Sequence, residues 1–293
     1  MATDATELLK KIRKIEIKTR GISSEIFSGE YHSAFKGKGM AFSEVREYMH
    51  GDEIRTIDWN VTARLNHPYV KVFEEERELN VILLVDVSKS ESFGTSLQTK
   101  KSLITELCAV LSFSAIQNND KIGAILFSDK IEKFIPPKKG KQHILKIIRE
   151  LIEFEPENKG TDISQAVKYL VNVVKKRSIV FIVSDFINKG FEEALSIVSK
   201  KHDTIAINIY DKRETELPNI GMIRIADSET GNYKWIDTSK KSVRGEYLKW
   251  WNDRESMLKA VFSKNKIDVI KIRTDESYIL PLTNFFKSRG KRY

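Results

Sequence analysis

A chain of 293 residues and 33.8 kDa has room for one large domain or two modest ones, either able to bury a core. Hydrophobic residues at 41% and aromatics at 10% exclude the disordered, collagenous and mucin-like classes, which bury too little apolar surface to offset chain entropy. The net charge of +9 brings a polyanionic partner into consideration, but the surplus is uneven: residues 1–80 carry 13 basic and 14 acidic side chains, whereas residues 238–293 carry 14 and 6.

In chain order, the opening Met1 to Lys10 lacks the apolar stretch and small-residue cleavage site of a secretory signal. A basic helical stretch, Leu8 to Lys18, follows. It leads into a glycine-rich, aromatic-rich and charge-dense segment that does not read as a βαβ unit, so residues 1–75 are expected to form an N-terminal extension packed on a main domain at 76–293. Within that segment Arg46, Asp52, Arg55, Asp58 and Arg64 lie among Tyr48, Ile54, Ile57 and Trp59. Charges among aromatic residues need partners, so an internal salt-bridge network is expected, with a docking surface as the alternative.

From residue 79 onward short aliphatic runs alternate with longer amphipathic ones. Leu79 to Val85, Ile122 to Phe127, Ile179 to Val183, Thr204 to Tyr210 and Ile267 to Ile272 read as strands. The first and third are apolar at nearly every position, which places them inside a mainly parallel sheet covered by helices on both faces. Leu103, Ile104, Leu107, Cys108 and Leu111, then Ile163, Ala166, Val167, Leu170, Val171 and Val174, supply helical apolar stripes. The fold class is therefore α/β, a doubly wound and mainly parallel sheet with an N-terminal extension. Pro218, Gly221 and Gly231 break the rhythm and point to a hairpin inserted near residues 216–238. The lone Cys108, among apolar letters, reads as a buried hydrophobe and fits a reducing cytoplasm. The longest aliphatic runs fall far short of the roughly 18 residues that span a bilayer, so no transmembrane helix is expected.

In an open parallel sheet, ligands bind outside the carboxyl ends of the strands. There the first strand runs into Asp86-Val87-Ser88-Lys89-Ser90 and the third into Ser184-Asp185-Phe186, while Gly160-Thr161-Asp162 opens the helix before that third strand. Asp86, Ser88 and Ser90 alternate, so in an extended turn their side chains can point to one side. Taken singly, each motif also fits ordinary turn and capping chemistry: Asp162 with Gln165 three residues later resembles a capping box. Together, at one sheet edge, they read as a hard-oxygen site for Mg²⁺, with Mn²⁺ or Ca²⁺ as substitutes. Mg²⁺ takes about six oxygens and keeps waters readily, so two serines, a threonine and two carboxylates leave a coordination position open. A carboxylate from another molecule would complete it.

Asp86-Val87-Ser88-Lys89-Ser90, Thr161 and Asp185 resemble the metal-ion-dependent adhesion site of von Willebrand factor type A domains, in which the corresponding residues hold the ion directly or through water. The stretch Gly37 to Tyr48, then Gly51 to Asn60 and Thr62-Ala63-Arg64, together with Phe127-Ser128-Asp129, Pro136 to Gly140 and Leu282 to Arg289, resembles the bacterial family catalogued as domain of unknown function fifty-eight. That resemblance covers nearly the whole chain. It implies a metal-dependent, non-enzymatic interaction module that works with a MoxR-type AAA+ ATPase in assembly or maturation of other proteins. Some relatives carry a transmembrane hairpin before the shared block; this chain has no apolar stretch of that length. Lys89, between the first two serines, would weaken cation binding if turned inward and steer an acidic partner if turned outward.

Two other functions compete. The basic C-terminal region, with Trp250 and Trp251 upstream, carries the ingredients for binding nucleic acid by phosphate neutralisation and stacking, although no RNA- or DNA-binding motif accompanies it. A metal-dependent hydrolase needs a base and transition-state stabilisers, and the five histidines show no zinc-ligand spacing and none falls in the site loops. Gly37-Lys38-Gly39 lacks the rest of a P-loop. Glu74-Glu75-Glu76 reads as a solvated run.

Overall fold

The computed structural model describes residues 2–23, 31, 34–35, 40–75, 78–88, 99–155, 160–226 and 233–291. Ser90 and Lys89, and the Gly37-Lys38-Gly39 stretch, lie outside the described residues.

The basic N-terminal stretch is one helix, α1 (Ala2–Ile22). The segment after it contributes an antiparallel pair, β1 (Met40–Glu47) and β2 (Tyr69–Glu75), with a 3₁₀ turn at Ile54–Thr56 and a short helix α2 (Trp59–Leu65) between them. Asp58 starts α2 by accepting from the Asn60 amide at 3.0 Å and the Val61 amide at 3.3 Å.

The main sheet is built from β3 (Asn80–Asp86), β4 (Lys121–Phe127), β5 (Ile131–Lys138), β6 (Ile179–Ser184), β7 (Asp203–Tyr210) and β10 (Asp268–Arg273) in the order β10-β7-β6-β3-β4-β5. All pairings are parallel except β4 with β5. The mainly parallel α/β class read from the aliphatic runs is the architecture observed. Sequence patterning missed β5, whose Pro136 and Pro137 argue against a strand; they are tolerated because β5 is an edge. The β4–β5 register shifts between Ile122 and Ala124, and a Cβ on Gly123 would come within 2.8 Å of the Ile135 carbonyl oxygen, so glycine is required at that close approach.

Successive residues of β3 point to opposite cores. Val81, Leu83 and Val85 join the core that holds Leu103, Leu107 and Leu111 of α3 (Lys100–Gln117), Ile144 and Ile148 of α4 (Lys141–Glu153), and Leu282 and Phe286 of α9 (Ile279–Gly290). Ile82 and Leu84 join the core that holds Ile163, Val167 and Leu170 of α5 (Ile163–Val173), Leu195 and Val198 of α6 (Glu192–Lys201), and Leu258 and Phe262 of α8 (Lys241–Lys264). Ile12 of α1 and the buried Tyr31 and Phe35 pack into the first core. Between β7 and α8 lie a single helical turn, α7 (Lys212–Thr215), and an antiparallel pair, β8 (Met222–Ala226) with β9 (Tyr233–Asp237).

The strand order decides where a ligand can sit. From β3 the chain moves one way to β4 and the other way to β6, so the sheet reverses direction between β3 and β6. At such a switch point the helices diverge to opposite faces and leave a crevice at the carboxyl ends of the two strands.

Candidate functional site

Asp86 ends β3 and Ser184 ends β6, one position beyond the paired Val85 and Val183. The Ser184 hydroxyl donates to Asp86 Oδ2 at 2.7 Å, and the Ser88 amide donates to Asp86 Oδ1 at 3.0 Å. Asp86, Ser88, Ser184 and Asp185 are all buried. Burial and the neighbouring Asp185 charge push the Asp86 carboxyl up to about 6, against hydrogen bonds from the Ser88 hydroxyl and amide and from Ser184 that pull it down.

Asp185 is fixed by its backbone as well as its side chain. Phe186 takes a left-handed φ of 53°, uncommon for a bulky residue, which turns the chain so that the Ile187 amide donates to Asp185 Oδ1 at 3.1 Å and the Phe186 amide to Ser184 Oγ at 3.1 Å. The buried Phe186 ring stacks edge-on against Phe191 and Phe262 and holds that turn in place. The guanidinium of Arg254, on α8, donates to the Asp185 carbonyl oxygen.

The third motif is strapped across the same edge. The Asp162 amide donates to the Ser128 carbonyl oxygen, just past β4, at 2.8 Å, and the Asn188 side chain, just past β6, donates to the Thr161 carbonyl oxygen. Because β3 lies between β4 and β6, Thr161 is tethered on both sides of the strand that carries Asp86. Asp162 caps α5 by accepting from the Gln165 amide at 2.9 Å. Asp86, Ser88, Thr161 and Asp185 therefore lie at one edge of the sheet, while the fifth residue of the set, Ser90, is outside the described residues.

A cation fits this chemistry in two respects. Two buried carboxylates that repel each other are relieved by a positive charge placed between them, and carboxylate with hydroxyl oxygen suits a hard divalent ion. Among the described residues no three or more His, Cys, Asp or Glu side chains gather as a metal-binding group. The candidate set has two carboxylates, so it depends on hydroxyl oxygens for the rest of a shell.

Sequence reading missed one resident of the site. Lys100, the first residue of α3, is fully buried and donates to Asp185 Oδ2 at 3.1 Å and to Glu214 Oε1, on α7, at 2.7 Å. The available signal was positional: Lys100 lies three, four and seven residues before Leu103, Ile104 and Leu107, on the apolar face of a buried helix. Glu214 gave no local signal, since its place beside Lys100 arises from contacts 114 residues apart.

Elsewhere the charged N-terminal block is paired in part. Arg46 makes a two-pronged pair with Asp52, at 2.8 and 2.7 Å, and Asp58 faces Lys71 at 3.4 Å, whereas Arg55 and Arg64 are exposed. Met49, Ile54, Trp59 and Leu65 are exposed as well. No helix among the described residues is long and apolar enough to cross a membrane.

The family model described as "Protein of unknown function DUF58" matches residues 44–256. The uncharacterized protein Rv1480 of Mycobacterium tuberculosis is 25% identical over 291 residues, covering 98% of this chain and 92% of that protein. Among solved structures, an aerotolerance-related membrane protein from Bacteroides fragilis covers 73% of this chain and 100% of its own, at 15% identity and a TM-score of 0.48. The SpRpn10 VWA domain covers 71% of this chain and 94% of its own, at 11% identity and a TM-score of 0.39.

Proposed function

The chain belongs to the DUF58 family, and from that premise we propose that it is a non-enzymatic protein-interaction adaptor whose binding depends on a divalent cation, Mg²⁺ in the first instance. Asp86, Ser88 and Ser90, with Thr161 and Asp185, would hold the ion, supplying hard oxygens and leaving a position for an acidic side chain of the partner. The observation that carries this reading is the convergence at the β3–β6 switch point: a buried Asp86 carboxylate fixed by Ser184 and Ser88, beside a second buried carboxylate. The ion would act as a bridge between the two proteins. Ser184 and the Ser88 amide orient Asp86, and the Phe186 turn orients Asp185. The resemblance of the long N-terminal block points to a MoxR-type AAA+ ATPase as the partner, in assembly or maturation of other proteins.

Millimolar Mg²⁺ should raise the melting temperature of the wild type, since a ligand at 100 times its Kd stabilises by about 2.7 kcal/mol. Asp86→Ala should abolish that shift, and affinity purification should capture an ATPase partner in Mg²⁺ and lose it in EDTA. Identical Mg²⁺ responses from wild type and Asp86→Ala would reject the site.

A further inference from the structure

Asp185 is assigned above to the ion, yet one of its oxygens is already engaged by an ammonium. Lys100 Nζ lies 3.1 Å from Asp185 Oδ2 and 2.7 Å from Glu214 Oε1. Lys100 has no exposed side-chain surface, and a buried ammonium needs carboxylate partners such as these. Its second anchor is itself fixed. Glu214 Oε2 accepts from the Asp211 amide at 2.9 Å in a reciprocal cap, and the Glu214 carbonyl oxygen accepts from the Tyr247 hydroxyl at 2.9 Å. The ammonium is thus pinned between β6 and α7 at a defined place beside Asp185.

We propose that Lys100 is a tethered counter-cation that sets the charge, and hence the affinity, of the metal site. The inference rests on the metal reading above. A fixed positive charge next to Asp185 offsets one of the two carboxylates, so a divalent ion at this edge is balanced by Asp86 and neutral hydroxyls and stays short of negative charge. A partner carboxylate supplies what is missing, which makes the acid on the partner a requirement. Glu214 adjusts the setting: by sharing the ammonium it draws positive charge away from Asp185.

The signs of two substitutions separate this role from a purely structural one. Mn²⁺, a hard ion visible by electron paramagnetic resonance, is titrated into wild type, Lys100→Met, Glu214→Gln and Asp86→Ala, with Mg²⁺ as competitor. Lys100→Met should bind Mn²⁺ roughly tenfold more tightly even though its metal-free melting temperature falls, because Asp185 then faces the ion with its charge no longer offset by the ammonium. Glu214→Gln keeps an acceptor for the Asp211 amide and commits the ammonium to Asp185, so it should bind roughly threefold more weakly. Binding by wild type that is lost in Asp86→Ala, with Lys100→Met equal to wild type or weaker, overturns the counter-cation role and leaves the metal site standing. If Lys100→Met does not fold, Glu214→Gln decides alone, and unchanged or tighter binding there overturns the inference. Absence of Mn²⁺ binding by the wild type overturns both readings together.

Discussion

The Asp86 carboxylate is where residue chemistry and stability meet. Its native value of about 6 lies above the ordinary carboxylate range because burial and Asp185 disfavour its charge. The folded chain therefore holds this proton more tightly than the unfolded chain, and the metal-free fold loses stability as pH rises from about 4 to about 6. A cation bound at the proposed site would compete for the same oxygens and reverse that loss. The melting-temperature shift produced by millimolar Mg²⁺ should be small near pH 5 and at full size above about pH 7, as scanning fluorimetry in buffers of matched ionic strength would report. Shifts of equal size at the two pH values would remove Asp86 from the ion's shell. The alternation of Asp86 and Ser88 was legible in the sequence, as was Asp185 after a strand. The left-handed Phe186 that aims Asp185 was not, since a bulky residue with positive φ breaks local preference and is held by Phe191 and Phe262 from elsewhere in the chain.

At the scale of elements, the last helix shows how a charge run can mislead. Lys287, Arg289, Lys291 and Arg292 belong to the basic C-terminal region whose charge the sequence offers to a nucleic acid. In the structure Arg289 of α9 is buried, pairs with Asp203 at the start of β7 and with Asp268 Oδ2 at the start of β10 at 3.0 Å, and lies over the Phe35 ring at 4.9 Å. One guanidinium thus fastens α9 to the amino ends of two adjacent strands. Removing one member of a buried ionic group leaves uncompensated charge, so Arg289→Met should cost about 3 kcal/mol in urea unfolding. Asp203→Asn on that background should recover part of the loss, because the two residues are coupled. A cost under about 0.5 kcal/mol, the level of a surface substitution, would mean the pair carries no stability. The same logic explains β5: a strand with two prolines is unreadable locally and acceptable only because its outer edge is unpaired.

For the whole molecule, the charge of +9 is a net figure in which internal ion pairs have already cancelled. Arg289 and Lys100 are both buried in ionic groups, and Arg254 is buried against Asp185 and Trp251, so these three cations do not face an external polyanion. If the function runs through the metal edge and not the basic surface, retention on immobilised polynucleotide should be weak at physiological salt, fall further with added salt, and be indifferent to EDTA, whereas partner capture should be lost in EDTA. Tight, EDTA-indifferent binding to RNA or DNA would move the function to the basic surface.

The sequence by itself determined the fold class, because a strand apolar on both faces leaves a chain no arrangement except a sheet covered on both sides, and helical stripes of matching length supplied the covers. It also determined which oxygens end which strands, since that is a matter of register along the chain. Only the tertiary structure decided what those oxygens face: that Ser184 holds Asp86, that Lys100 stands beside Asp185, and that Glu214 shares its ammonium. Those contacts join residues about 85 to 114 apart, and a buried charge is stabilised by whatever the fold brings within a few ångströms, which no local pattern of letters encodes.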